Sequence, residues 1–135
     1  MTSPNGVDWT ARDSPLNTAM VSWQGLTAGP GLFVAVGIGN YPNQVITSTD
    51  GINWTAQSSA ADRSWYKVVY GNGLYVALAA NTGSNQVMTS TDGSSWVSEQ
   101  AAASQGWTSL AYGNCMFVAG SSGPFNPTQI MTSSN

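Results

Sequence analysis

Short apolar runs alternate along this chain with breaks rich in Gly, Asn and Ser. The clearest run, LYVALAA from Leu74 to Ala80, is almost unbroken in its apolar character, which predicts a strand buried on both faces. Before it stands WYKVVY, Trp65 to Tyr70, and after it NQVMTS, Asn85 to Ser90. A TDG turn then leads into SWVSE, Ser95 to Glu99. These four segments read as consecutive strands A, B, C and D.

The same four-part pattern returns. Trp23, Trp65 and Trp107 recur every 42 residues, as do Val34, Val76 and Val118. Trp9, Trp54 and Trp96 form a second series, spaced 45 and then 42. Thr2-Ser3, Thr47-Ser48, Thr89-Ser90 and Thr132-Ser133 mark one phase four times. The chain is therefore one domain, residues 1–135, of three repeats at about 23–58, 65–100 and 107–135, preceded by a D strand at 7–13. Four antiparallel strands in ~40 to 45 residues match a β-propeller blade, so the expected fold is all-β with three four-stranded blades per chain.

The strand sequence is D, ABCD, ABCD, ABC: MTSPNGVDW and QIMTSSN are two parts of one motif. Known rings hold about four to eight blades. A homodimer is therefore expected, two chains closing a six-bladed ring by strand exchange, each lending Val7 to Asp13 to the last blade of the other. A piece cut from a longer propeller would close the same way. The A–B turns GPG (29–31), GNG (71–73) and GNC (113–115) predict a type I turn from the shared glycine, because Pro30 fixes φ near −65° and Cys115 disfavours positive φ.

Charge narrows the chemistry. Only 7% of residues are charged, the net charge is −3, and Arg12, Arg63 and Lys67 are the whole basic complement. No nucleic-acid partner is expected from so weak a positive field, and no apolar stretch is long enough for membrane insertion. No signal peptide is visible, so localisation stays open, with an extracellular or particle surface the expectation. With no histidine and one cysteine, neither a metal site nor another cofactor is expected, and Cys115 lacks a neighbour to activate it.

STDGINW and STDGSSW, each with W..V.YGNGLYVA-like strands beside it, resemble the BNR or Asp-box type of repeat found in sialidase-like propellers. The resemblance spans all three repeats. It departs from the standard Ser-x-Asp-x-Gly-x-x-Trp box because Gly51 and Gly93 follow Asp50 and Asp92 directly, and Asn5-Gly6 stands in the first copy. The resemblance implies a structural C–D turn, with Asp50, Asp92 and Asn5 capping backbone amides and Trp9, Trp54 and Trp96 packing between blades. It also implies, for a sialidase, three arginines around the substrate carboxylate and a tyrosine paired with a glutamate. Two arginines and the single Glu99 cannot supply that set, and no Ser-His-Asp arrangement exists without histidine. The chain is expected not to be an enzyme.

Propeller geometry places the D–A and B–C loops on one face. The B–C loops differ between copies: GIGNYPN (37–43), AANTGSN (79–85) and GSSGPFNP (120–127). Trp23, Trp65 and Trp107 begin strand A next to that face and would ring the channel mouth. Stacked against sugars, with Tyr41, Asn43, Arg63 and Asn85 as polar neighbours, they would make a lectin-like carbohydrate-binding surface. The same indoles would equally fill the gaps between wedge-shaped blades. The alternatives to a glycan partner are a structural or decoration protein of a virion or other particle, or an engineered propeller fragment without ligand. The sequon Asn53-Trp54-Thr55 adds little, its tryptophan being expected in the interior.

Overall fold

A computed structural model of the chain describes residues 1–16, 21–39, 42–123, 127 and 129–134. It contains three antiparallel meanders. The first is β1 (Ser22–Gly29), β2 (Leu32–Ile38), β3 (Val45–Ser48) and β4 (Thr55–Gln57), hydrogen-bonded in chain order. The second repeats it as β5 (Trp65–Gly71), β6 (Leu74–Ala79), β7 (Val87–Ser90) and β8 (Val97–Glu99). The third holds β9 (Trp107–Gly113), β10 (Met116–Ser121) and β11 (Ile130–Ser133), three strands among the described residues. The sheets stack in sequence, β5 packing on β1 and β2, and β9 on β5 and β6.

Register explains why the strand-A pattern is Trp-x-x-apolar rather than a simple alternation. Trp65 pairs with Ala79 and Lys67 with Leu78, so Tyr66 is an extra residue, and the pairing slips in the same way after Trp23 and at Trp107. Such a bulge re-aims the side chain on one side of it. It brings Trp65 and Val68, three positions apart, into one core with Tyr75, Ala77 and Met88, against Val34, Val36 and Val45 of the first sheet. A smaller core of Leu78, Trp107 and Ala119 joins the second sheet to the third.

Strand B is buried on both faces in the second sheet, which lies between the other two, and also in the first, which has a sheet on one side only. Val34 to Val36 and Tyr75 to Ala79 are fully enclosed, whereas β10 alternates buried and exposed positions because nothing described covers its outer face. The N-terminal strand expected at 7–13 reduces to one bridge, Thr2 to Thr10, whose two backbone hydrogen bonds are both 2.8 Å.

The A–B turns differ from the type I expectation. Asn72 and Gly73 have φ of 49° and 76°, and Asn114 and Cys115 have 50° and 58°. Two successive positive φ values fit a type I′ hairpin turn, whose twist matches the flanking strands. Only the Pro30 copy differs, with positive φ at Gly31 alone. The constraint from Pro30 is local to its own turn, and the twist of the hairpin outweighs the steric preference of Cys115.

Candidate functional site

The D–A and B–C loops do meet at one end of the sheets. Ser64 N–H donates to Asn81 Oδ1 at 3.1 Å and Gly83 N–H to Ser104 Oγ at 2.8 Å, tying the loop after β6 to the segments on either side of the second sheet. Arg63 lies against this loop: a Cβ placed on Gly83 would be 3.4 Å from its Nη1. Arg63 Nε is buried without a hydrogen-bond partner among the described residues. Asn85 adopts a left-handed φ of 57° and accepts from Gln100 Nε2 at 3.1 Å. Asn43 is half-buried before β3. Tyr41 lies outside the described residues.

The tryptophan ring is the main correction. Trp65 is 0% exposed and Trp107 1%, and their indole N–H groups donate to Ala61 O at 3.2 Å and Ala103 O at 3.1 Å. Neither offers a face on which a sugar could stack, because the bulge turns each indole between sheets. Trp23 is half-buried, its Nε1 donating to Ser14 Oγ at 3.3 Å, and its ring lies against Gly37 at the start of the first B–C loop, where a Cβ would be 3.0 Å from it. The structure brings Arg63 against Gly83, beside the Ser64–Asn81 bond, while the indoles of Trp65 and Trp107 are enclosed.

Three turns of one design close the outer hairpins. Asp50 Oδ1 accepts from the backbone of Ile52 and Asn53, both at 2.8 Å, Ser48 Oγ accepts from Gly51 N–H at 2.8 Å, and Trp54 Nε1 donates to Gly51 O. Asp92, Ser90, Gly93 and Trp96 repeat the arrangement. Asn5, Ser3, Gly6 and Trp9 do so with an amide oxygen in place of the carboxylate. The amide donors of Asn53, backbone first, hold the Asp50 carboxyl well below the usual range, and those of Ser95 and Ser94 bring Asp92 down to about 2. Both are ionised acceptors in a turn at neutral pH, so neither holds a proton to donate as a general acid.

A set of glutamines was missed from sequence. Buried Gln44 donates to Arg63 O at 2.8 Å and accepts from Ser59 Oγ at 2.9 Å. Buried Gln86 donates to Asn81 O at 2.8 Å and to Gln105 O, and accepts from Gln105 N–H. Gln129 donates to Gly123 O at 2.9 Å. The signal was present in the recurring NQV, NQV and TQI at the start of strand C.

No family model matches the chain, and no curated protein sequence matches it. Solved structures do. YCF48 bound to D1 peptide superposes with a TM-score of 0.54 at 19% identity, over 81% of this chain and 37% of that one. YCF48 from Cyanidioschyzon merolae gives 0.50 at 15%, over 76% of this chain and 38% of its own. The fold is a β-propeller. At such identity the likeness speaks for the fold alone, and this chain spans under two fifths of the length of either YCF48 chain. The three sheets are its blades.

Proposed function

We propose that the chain is a non-catalytic propeller module that completes a six-bladed ring with a second copy of itself and presents the D–A/B–C loop face for recognition. The observation that carries this reading is unequal burial at equivalent positions. Val68 is enclosed between blades, whereas Leu26, its counterpart in the first blade, is 64% exposed; Val45 is enclosed, whereas Ile130, its counterpart in the third, is 66% exposed. Each open face thus carries residues whose counterparts in another blade lie in a core. Large exposed apolar surface of that kind favours association.

The repeated Ser-x-Asp/Asn-Gly-x-x-Trp turns support kinship with Asp-box repeat proteins, the altered glycine position notwithstanding. Carbohydrate recognition, if the loop face performs it, rests on Arg63, Asn43 and Asn85, since Trp65 and Trp107 are enclosed. That burial also favours the second reading, a rigid structural or decoration unit of a particle. Light scattering coupled to size exclusion tests the ring, with twice the 14.1 kDa chain mass expected. A glycan array probed with the wild type and Arg63→Ala separates the two roles: sugar binding lost in the variant supports the lectin, and no binding by either supports the scaffold.

A further inference from the structure

We infer that the cleft between the second and third blades is the socket for the Gly6–Trp9 turn of a second copy, and that Met1–Ser3 are an internal stand-in which that copy's β11 displaces. The inference rests on the ring reading above.

The junction between the first two blades supplies the template. A Cβ on Gly93 would lie 2.7 Å from Leu32 Cδ2 and 3.0 Å from Val34 Cγ2, so the second blade's outer turn sits directly on the first blade, with Trp96 packed beside it. The equivalent positions on the second blade are Leu74, Val76 and Thr89. They line an open cleft of about 560 Å³, faced across by Met131 and Ser133. The missing occupant is a turn with Gly and Trp three residues apart. Gly6 and Trp9 form that turn already, and Trp9 is 58% exposed.

The N-terminal hairpin imitates the strand it awaits. Arg12 Nε donates to Thr2 Oγ1 at 3.0 Å as Gln57 Nε2 does to Thr47 Oγ1 at 3.1 Å. Thr2 Cγ2 lies 3.6 Å from a Cβ built on Gly51, as Thr47 Cγ2 lies 3.7 Å from one on Gly93. Met1-Thr2-Ser3 and Met131-Thr132-Ser133 are the same tripeptide. Thr132 of a second copy can therefore take every bond Thr2 makes to Thr10 and Arg12, side chain for side chain. The hydrogen bonds cancel in the exchange, and the burial of Trp9, Leu26, Val118 and Ile130 is left as the driving term.

Gly113 marks the same face. A Cβ on Gly29 would fall 2.1 Å from Tyr75 Oη and one on Gly71 2.2 Å from Tyr112 Cγ, the next blade's aromatics pressing on each, while among the described residues nothing approaches one on Gly113 within 4 Å. In a following first blade the residue equivalent to Tyr75 is Phe33, exposed here, and the one equivalent to Tyr112 is Ala28.

Among the described residues Gly113→Leu has room within the chain, whereas at the closed junction its side chain would meet Phe33, so it tests closure without threatening the fold. Two cysteine pairs in a Cys115→Gly background test the exchange. Thr10 and Thr132 are separated by the middle blade in one chain but become a hydrogen-bonded antiparallel pair after exchange, about 5.5 Å between Cα atoms and within disulfide reach. The expected result is a wild-type dimer, a folded Gly113→Leu monomer with at least tenfold weaker association, and a covalent dimer on oxidising Thr10→Cys/Thr132→Cys. If closure behaves so but only Thr2→Cys/Thr10→Cys oxidises, within single chains, the ring stands and the displacement is overturned. A monomeric wild type, or a Gly113→Leu variant as dimeric as wild type, overturns the ring and this inference with it.

Discussion

Asparagine and aspartate trade places in the repeated turn. In the first copy Asn5 Nδ2 donates to Asp8 Oδ2; in the second Asn53 Nδ2 donates to Asp50 Oδ2, both at 2.8 Å. The turn needs an sp² oxygen at one position, charged or not. Its carboxylate copies titrate and its amide copy does not. Because the folded carboxyl of Asp92 titrates at about 2 rather than at 3.8, its contribution is fully present above about pH 4 and is lost as pH falls through about 2. Asp92→Asn is expected to keep the turn and to flatten the fall of the urea midpoint across that interval, with Asp50→Asn adding to the effect. Cys115, with φ of 58°, supports the opposite kind of prediction. Cys115→Gly removes a side-chain penalty in the left-handed region and should raise stability by roughly 0.5–1 kcal/mol in denaturant titration. That strain was not legible in the sequence, where Pro30 in a neighbouring copy pointed to a different turn.

At the scale of elements the sequence was most readable. The strand-B runs and the 42-residue period place β2, β6 and β10 within a residue or two, the signature being least broken in β6, which lies between two sheets. The site was less readable for a physical reason. A tryptophan recurring at the head of a strand gives the same pattern whether it lines a channel or fills a core, and the bulge that decides between them depends on the register of the partner strand. Trp65→Ala should accordingly cost about 3–5 kcal/mol of stability, read as a shift in the unfolding midpoint, rather than a selective loss of binding. Gly71→Ala drives a methyl group into the Tyr112 ring and should cost about 1–3 kcal/mol. The buried glutamines Gln44 and Gln86 behave as polar counterparts of that core. Gln86→Leu removes the hydrogen bonds that Gln86 makes with the carbonyls of Asn81 and Gln105 and with the amide of Gln105, for an expected loss of about 1–3 kcal/mol, detectable as faster amide exchange in the loops on either side of the second blade.

The whole molecule is a short stack whose two ends differ. One end offers Leu26 and Phe33, the other Met116, Val118 and Ile130, and in the proposed ring each end meets the opposite end of a second molecule. Such head-to-tail contacts have two fates. When the rotation from copy to copy brings the third blade of the second molecule back to the first blade of the first, growth stops at two. When it falls short, the same contact repeats without end and the product is a filament. With a net charge of only −3 per chain, little long-range repulsion opposes that growth. Curvature, set by how tightly each blade's outer turn seats on its neighbour, therefore separates a discrete particle from a polymer, and a change as small as a bulkier residue beside Gly93 would be enough to turn one into the other.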